Sequence, residues 1–459
     1  MQALSCREII NAANGTLLCG NIETRFENIS TDSRKITGGE LFIPLAGEKF
    51  DGHDFIGASL NLGAAGSLTH RDADPVPGKA LVRVEDTLRA LQDIARYYRK
   101  KFNIPFVAIT GSVGKTSTKN MVASVLGRRF NVLKTTGNLN NEIGLPLTVF
   151  NLDGAHEVAV VEMGMSGFGE IERLTSIALP RIAVITNIGL AHIEKLGSRQ
   201  NILKAKMEIL SGLEEGGTVI LNGDDRLLYG MKGLTKFHTV YYGIGEELDY
   251  QAYNVVSAGE KGTYFEISVG SGDYRVHVPA PGVHNVYNAL AAIAAGKCLG
   301  VSMEEIIEGI AAFESEKMRM DIISYGGFKI INDAYNANPQ SMEAALNVLK
   351  DMKGSGRTIA VLGDMLEMGD WACDAHLDTG KFAVSRGIDY IITVGENGGY
   401  IAQGALEAGM PHDRVFAFND KDAAASFARS ILSDGDTVLV KGSRAMKMEE
   451  IVDKITAGE

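Results

Sequence analysis

At 459 residues the chain is too long for one hydrophobic core, and about three domains are expected. Its 45% hydrophobic and 22% charged residues are those of an ordinary globular protein, and a net charge of −12 argues against nucleic-acid binding as its main function. Cys6, Cys19, Cys298 and Cys373 form no C-x-x-C pair, which excludes a zinc ribbon and gives no disulfide framework, and no apolar run is long enough to span a bilayer.

The predicted elements fall into an α/β protein of three domains. In residues 1–84 short strand-like pieces, such as 40–45 (ELFIPL) and 80–84 (ALVRV), alternate with turn residues, and a small N-terminal α/β domain is expected. Residues 86–101 carry Leu88, Leu91, Ile94, Ala95 and Tyr98 at helical spacing, a connector into the second unit, 85–314. There, strands predicted over 106–110, 158–163, 182–187 and 219–222 alternate with helices, the rhythm of a mostly parallel sheet. Two alternating runs, 263–269 and 274–278, flank Gly-Ser-Gly-Asp and predict a hairpin, and 286–299 predicts an alanine-rich helix. The third unit, 315–459, repeats the strand–helix rhythm over 329–332, 358–362, 390–394, 414–418 and 437–440, and a Rossmann-like α/β domain is expected.

The chemistry concentrates in residues 104–118, IPFVAITGSVGKTST. An apolar strand runs into Gly111, Ser112, Val113 and Gly114, then Lys115, Thr116, Ser117 and a helix. This is the layout of a phosphate-binding loop, in which backbone N–H groups wrap a phosphate, the lysine bridges to the γ-phosphate and the threonine hydroxyl takes Mg²⁺. Ile109 stands where the common pattern has its first glycine, so the loop is a variant. The strand over 158–161 ends in Glu162, and the next leads through Asn187 to His192. A carboxylate and an imidazole at the C-terminal edge of a parallel sheet would converge beside that loop. The turn-rich stretch 134–146 holds Thr136, Asn138, Asn140, Asn141 and Glu142, donors for phosphate oxygens or helix caps.

Together these motifs make the chain resemble the Mur ligases, ATP-dependent amide-bond-forming enzymes of peptidoglycan precursor synthesis. The resemblance covers essentially the whole chain. It rests on STDSRKI (30–36), LFIPLAGEKFDGHDF (41–55), TGSVGKTST (110–118), GNLNNEIGLP (137–146), VEMG (161–164), NIGLAHIEKLGS (187–198), LKAKMEIL (203–210), GVHNVYNALAA (282–292), NDAYNANPQSMEAAL (332–346), VLGDMLEMG (361–369) and KGSRAMKMEEIV (441–452). NDAYNANPQSM and GDMLEMG point to the member that adds D-alanyl-D-alanine to a UDP-N-acetylmuramoyl-tripeptide.

The resemblance implies roles. ATP would be bound by residues 111–117 with Asn138, Asn285 and Asn288, and by Arg319 and Asp333 brought in from the third domain. Two Mg²⁺ would be held by Thr116, Glu162, His192 and a carbamylated Lys206. Without the resemblance, Lys206 reads as a surface lysine of an amphipathic helix. Lys115, Lys206, His192, Arg319 and Asp333 would be the catalytic set. Asp32, Ser33 and Arg34 would meet the uridine nucleotide, and Asn336, Asn338, Ser443 and Arg444 the dipeptide. His284 would contact the base or cap its helix. A hinge is expected over 314–318, where ESEK reads as an exposed linker. A monomer in the cytoplasm is expected. Another amide ligase on the same core, such as a folylpolyglutamate ligase, and a phosphate-loop NTPase acting as a conformational switch both remain open, as does the third peptide residue, meso-diaminopimelate or L-lysine.

Overall fold

The computed structural model describes residues 1–47, 50–72 and 74–457. Glu48 and Lys49 of the LFIPLAGEKFDGHDF stretch, Ala73, and Gly458 and Glu459 at the end of the third unit lie outside them. Three α/β units follow one another, each built on its own sheet.

The first sheet has 5 strands, in the order Thr16–Cys19, Ala80–Arg83, Gly66–Thr69, Glu40–Phe42 and Asn28–Ser30. All its pairings except the first are parallel. The strand expected over 40–45 stops at Phe42, and Ile43 N donates to Ser30 O as the chain leaves the ladder. The connecting helix, Thr87–Arg99, is part of the central unit's packing rather than a free linker. Tyr98 Oη donates to Leu152 O (2.6 Å) and Arg99 Nε to Ala178 O (2.8 Å), because both side chains are buried and must find backbone partners.

The central sheet has 9 strands. Phe106–Thr110 lies between Val158–Glu162 and Ile182–Ile185, parallel to both. Its five residues are all buried because helices cover both faces. Phe106 and Ala108 point into one core, shared with Ile94 and Tyr98; Val107 and Ile109 point into the other, shared with Met121, Leu290 and Ile306. Thr218–Asn222, His238–Gly243 and Tyr250–Ser257 extend the sheet in parallel, and Thr263–Val269 and Gly272–Val278 close it as an antiparallel hairpin. Its turn is only Gly270-Ser271, since Gly272 and Asp273 already pair with Val269 and Ser268.

The third sheet has 6 strands, ordered Asp321–Tyr325, Phe328–Asp333, Thr437–Lys441, Thr358–Gly363, Tyr390–Val394 and Val415–Phe418, with only the first pairing antiparallel. Among the described residues no helix is long and apolar enough to cross a membrane.

Candidate active site

The Phe106–Thr110 strand delivers the chain into the loop 111–114, and the Lys115–Leu126 helix starts immediately after it. Gly111 is required: its φ is +151°, and a Cβ there would sit 1.8 Å from Thr186 Oγ1. The neighbouring strand end locks the loop. Asn187 Oδ1 accepts from Val113 N (3.0 Å), its Nδ2 donates to Val113 O (3.0 Å), and Thr186 Oγ1 donates to the same carbonyl (2.6 Å). A preformed ring of N–H groups at a helix N-terminus is a ready anion site. Gly111 contributes from behind, its carbonyl accepting from Lys115 Nζ (2.9 Å).

Register places Glu162 beside Ile109, so its carboxylate emerges next to the loop. Glu162 is 2% exposed. Oε2 accepts from Thr116 Oγ1 (2.9 Å) and Oε1 from Asn140 Nδ2 (2.8 Å), both neutral donors, and among the described residues no lysine, arginine or histidine forms an ion pair with it. A buried anion held only by neutral groups keeps its charge available to a cation.

A cavity of about 600 Å³ opens over this loop, and its other wall belongs to the third unit. Residues 112–117, Glu162, His192, Asn285 and Asn288 line it from one side; Arg319, Asp333, Asn336 and Asn338 line it from the other. Arg319 stacks on Tyr335, its guanidinium carbon 3.9 Å from the ring centroid, and its buried Nε has no partner. Asp333 Oδ2 pairs with buried Lys441 (2.5 Å) at the ends of adjacent strands. Asn288 accepts from Thr118 Oγ1 (2.9 Å) and donates to Asn285 Oδ1 (2.9 Å), so the two asparagines form one rigid patch.

Charge here is tuned by burial. The Lys115 ammonium is desolvated, and its pKa falls; Glu162 opposes the fall and Arg319 adds to it. Lys206, near the end of the Arg199–Met207 helix, is 1% exposed instead of on the surface. Its pKa drops well below that of an ordinary lysine, through burial first and the Lys115 charge second. Among the described residues it has no ion-pair partner. His284 heads the helix His284–Cys298, and burial lowers its pKa to about 4, with Asp333 opposing and Lys441 reinforcing. It is therefore neutral at pH 7.

Several expected residues sit elsewhere. Asn138 is exposed and does not line the cavity; Asn140, two residues on, takes the place beside Glu162. His192 does line the cavity, but its Nδ1 turns to the third unit, 2.6 Å from Glu367 Oε2, and holds Glu367 below the usual carboxylate range. Ser443 is buried, its Oγ accepting from Leu366 N (2.9 Å), and Arg444 pairs with Glu449 (2.6 Å), so neither reaches the cavity. The expected free linker at 314–318 is pinned: Glu316 Oε1 accepts from Asn120 Nδ2 (2.8 Å) and Lys119 Nζ (3.3 Å).

In the first unit, Asp32 caps the short turn Ser33–Lys35 and is pulled to about pKa 2, chiefly by its hydrogen bond from Arg34, which is 87% exposed. These residues follow a parallel strand end, as do His70 and Arg71; Arg71 pairs with Asp51, which in turn lies 2.7 Å from His53 Nδ1. Strand-end clustering is a ligand-site signature, and it joins His70 and Arg71, which no motif marked, to Asp51 and His53 of DGHDF. Lys441 and Asn187 were likewise missed, because a buried lysine and a loop-locking asparagine have no local sequence signature.

Comparison with known proteins gives a consistent picture. The Mur ligase middle domain is matched over residues 109–296, the Mur ligase glutamate ligase domain over 318–444, and the Mur ligase family catalytic domain over 25–99. A Bacillus subtilis UDP-N-acetylmuramoyl-tripeptide–D-alanyl-D-alanine ligase is 42% identical over 449 residues, 97% of each chain. A crystal structure of MurF from Acinetobacter baumannii superposes with a TM-score of 0.92 at 32% identity, covering 99% of both chains. The MurF ligase of Thermotoga maritima, solved in complex with ADP, has a TM-score of 0.83 at 27% identity over 94% of this chain and 97% of that one.

Proposed function

The chain belongs to the Mur ligase family, and within it we propose that the protein is an ATP-dependent ligase joining D-alanyl-D-alanine to the peptide carboxylate of UDP-N-acetylmuramoyl-tripeptide, in peptidoglycan precursor synthesis. The observation that carries this reading is the convergence of Lys115 from the central unit and unpaired Arg319 from the third on one cavity.

The carboxylate oxygen attacks the γ-phosphorus of ATP, the bond to ADP breaks, and an acyl phosphate forms. The dipeptide amine then adds to the acyl carbon, loses a proton, and expels phosphate to leave the amide. The first step brings two anions together, so the site must supply cations before it supplies a base. The loop amides and Lys115 would cradle the transferred phosphate, Arg319 would meet it from the opposite wall, and Asn285 and Asn288, which line the same cavity, would take the nucleoside. The third unit roofs the cavity, which protects an acyl phosphate from water.

A hard divalent cation suits the donor set. Thr116 and Glu162 offer oxygen, and with no group of three His, Cys, Asp or Glu side chains placed to hold a metal among the described residues, phosphate oxygens and water would complete the shell, as Mg²⁺ prefers. His192 and a carbamylated Lys206 would hold a second ion. Mg²⁺ bound here would neutralise charge on the phosphates. Carbamylation needs a neutral amine, and burial and the nearby Lys115 charge both push Lys206 in that direction. Asp32, Ser33 and Arg34 would take the uridine end, Asn336 and Asn338 the dipeptide. The protein would work as a monomer in the cytoplasm.

Phosphate release measured across a matrix of UDP-muramoyl-peptides and dipeptides tests the reading. Release should require ATP, a UDP-muramoyl-tripeptide and D-alanyl-D-alanine together. ATP hydrolysis that ignores both acceptors would identify a nucleotide switch instead.

A further inference from the structure

We infer that Glu316 is a positioning residue for Arg319, a latch that ties the segment between the second and third units to the phosphate-loop helix. The inference rests on the ligase reading above and adds to it a residue which that reading does not use.

Arg319 sits on a short stretch of unusual backbone. Met318 and Met320 on either side have φ of +61° and +51°, a left-handed conformation that a methionine adopts only when its surroundings impose it. On the third-unit side the stretch is fixed by Tyr335 N donating to Met318 O (3.2 Å), by Met320 N donating to Asp333 Oδ1 (3.1 Å), and by the Arg319–Tyr335 stack. On the central side, the clamp is Glu316, whose own carbonyl also accepts from Arg319 N (3.1 Å). Its carboxylate reaches Asn120 and Lys119, one turn beyond Lys115 and Thr116 on the same helix. Lys119 is fully buried and also donates to Thr135 O (2.8 Å), so this anchor cannot swing. The guanidinium is therefore indexed to the phosphate loop through three residues of chain. Without the clamp, the stretch is held from the third-unit side alone, and Arg319 loses its tie to the phosphate-loop helix.

A plainer role for Glu316 is to neutralise buried Lys119. Two conservative variants separate the roles. Glu316→Gln keeps the reach to Asn120 and loses the charge; Glu316→Asp keeps the charge and loses the reach. For a latch, ligation kcat should stay within about threefold of the parent in Glu316→Gln and fall about tenfold or more in Glu316→Asp, with ATP affinity and melting temperature of the Asp variant near the parent's. In an Arg319→Ala background, Glu316→Asp should change kcat by less than twofold, since the residue it positions is gone. The reverse order of the two variants, or the same tenfold loss in both backgrounds, overturns the latch. Absence of ligation by the parent enzyme with its proposed substrates refutes the underlying reading instead.

Discussion

Replacing Lys206 by methionine should make the protein more stable and inactive at once. The side chain is 1% exposed, its pKa is driven well below the ordinary lysine value by burial and then by Lys115, and no anion pairs with it among the described residues. Between the lowered folded-state value and the unfolded value of 10.5, the unfolded chain binds the extra proton. The parent's stability therefore rises with pH across that window, and near neutrality the lysine is a net cost. Methionine fills a similar volume without a charge to desolvate. Exchanging even a paired set of buried charges for apolar side chains is often neutral or gains about 1–4 kcal/mol, and each kcal/mol raises the melting temperature by roughly 2–4 °C in a unit of this size. Calorimetry in carbon-dioxide-depleted buffer should show the rise together with a flatter stability–pH profile, and a coupled ligation assay should show a loss of about 10²-fold or more, as for removal of one electrostatic group from a reacting centre. A variant that melts at or below the parent temperature and ligates at the parent rate would refute both the buried-amine argument and the role given to Lys206.

Lys115→Ala should lower kcat by roughly 10²–10³-fold with the fold retained by circular dichroism, because the loop loses its only cation while the Asn187 and Thr186 bonds that shape it remain. Lys206→Ala should be partly rescued by short carboxylic acids in the same assay, whereas Lys204→Ala should be mild. His284, held at about 4 against an ordinary 6.5, binds its proton in the unfolded chain first, so stability should fall as pH drops from 6.5 towards 4, by about 3 kcal/mol at most. Urea titrations of parent and His284→Asn across that range should differ in slope. Arg34→Ala should raise KM for the UDP-peptide and leave that for ATP unchanged; the opposite pattern would show the first unit misread.

The parts of the fold that a local pattern can encode were legible in the sequence. Phe106–Thr110, Val158–Glu162 and Thr358–Gly363 are buried on both faces and read as unbroken apolar runs. The strands Val132–Lys134, His238–Gly243, Tyr250–Ser257 and Asp321–Tyr325 escaped notice; the first is only three residues long, and the first and last lie at sheet edges, where one face meets water. The phosphate loop was readable despite Ile109, since the steric demand falls on Gly111, where Thr186 presses closest. Contacts made over long sequence separations were not readable. Lys441 meets Asp333 across 108 residues, and Lys119 meets Glu316 across 197. Lys206 misled for the same reason: its helix looks amphipathic by composition, and only the tertiary fold decides that the lysine faces inward.

The central claim is that the peptide carboxylate is activated by taking a phosphoryl group from ATP. It is tested most directly by ligation with UDP-muramoyl-tripeptide carrying ¹⁸O in both oxygens of its terminal carboxylate. The carboxylate oxygen that attacks phosphorus leaves with it when the dipeptide amine expels phosphate. Mass spectrometry should therefore find one ¹⁸O in the released phosphate and one in the new amide. Released phosphate free of the label would mean that water, not the carboxylate, accepts the phosphoryl group, and would contradict the account.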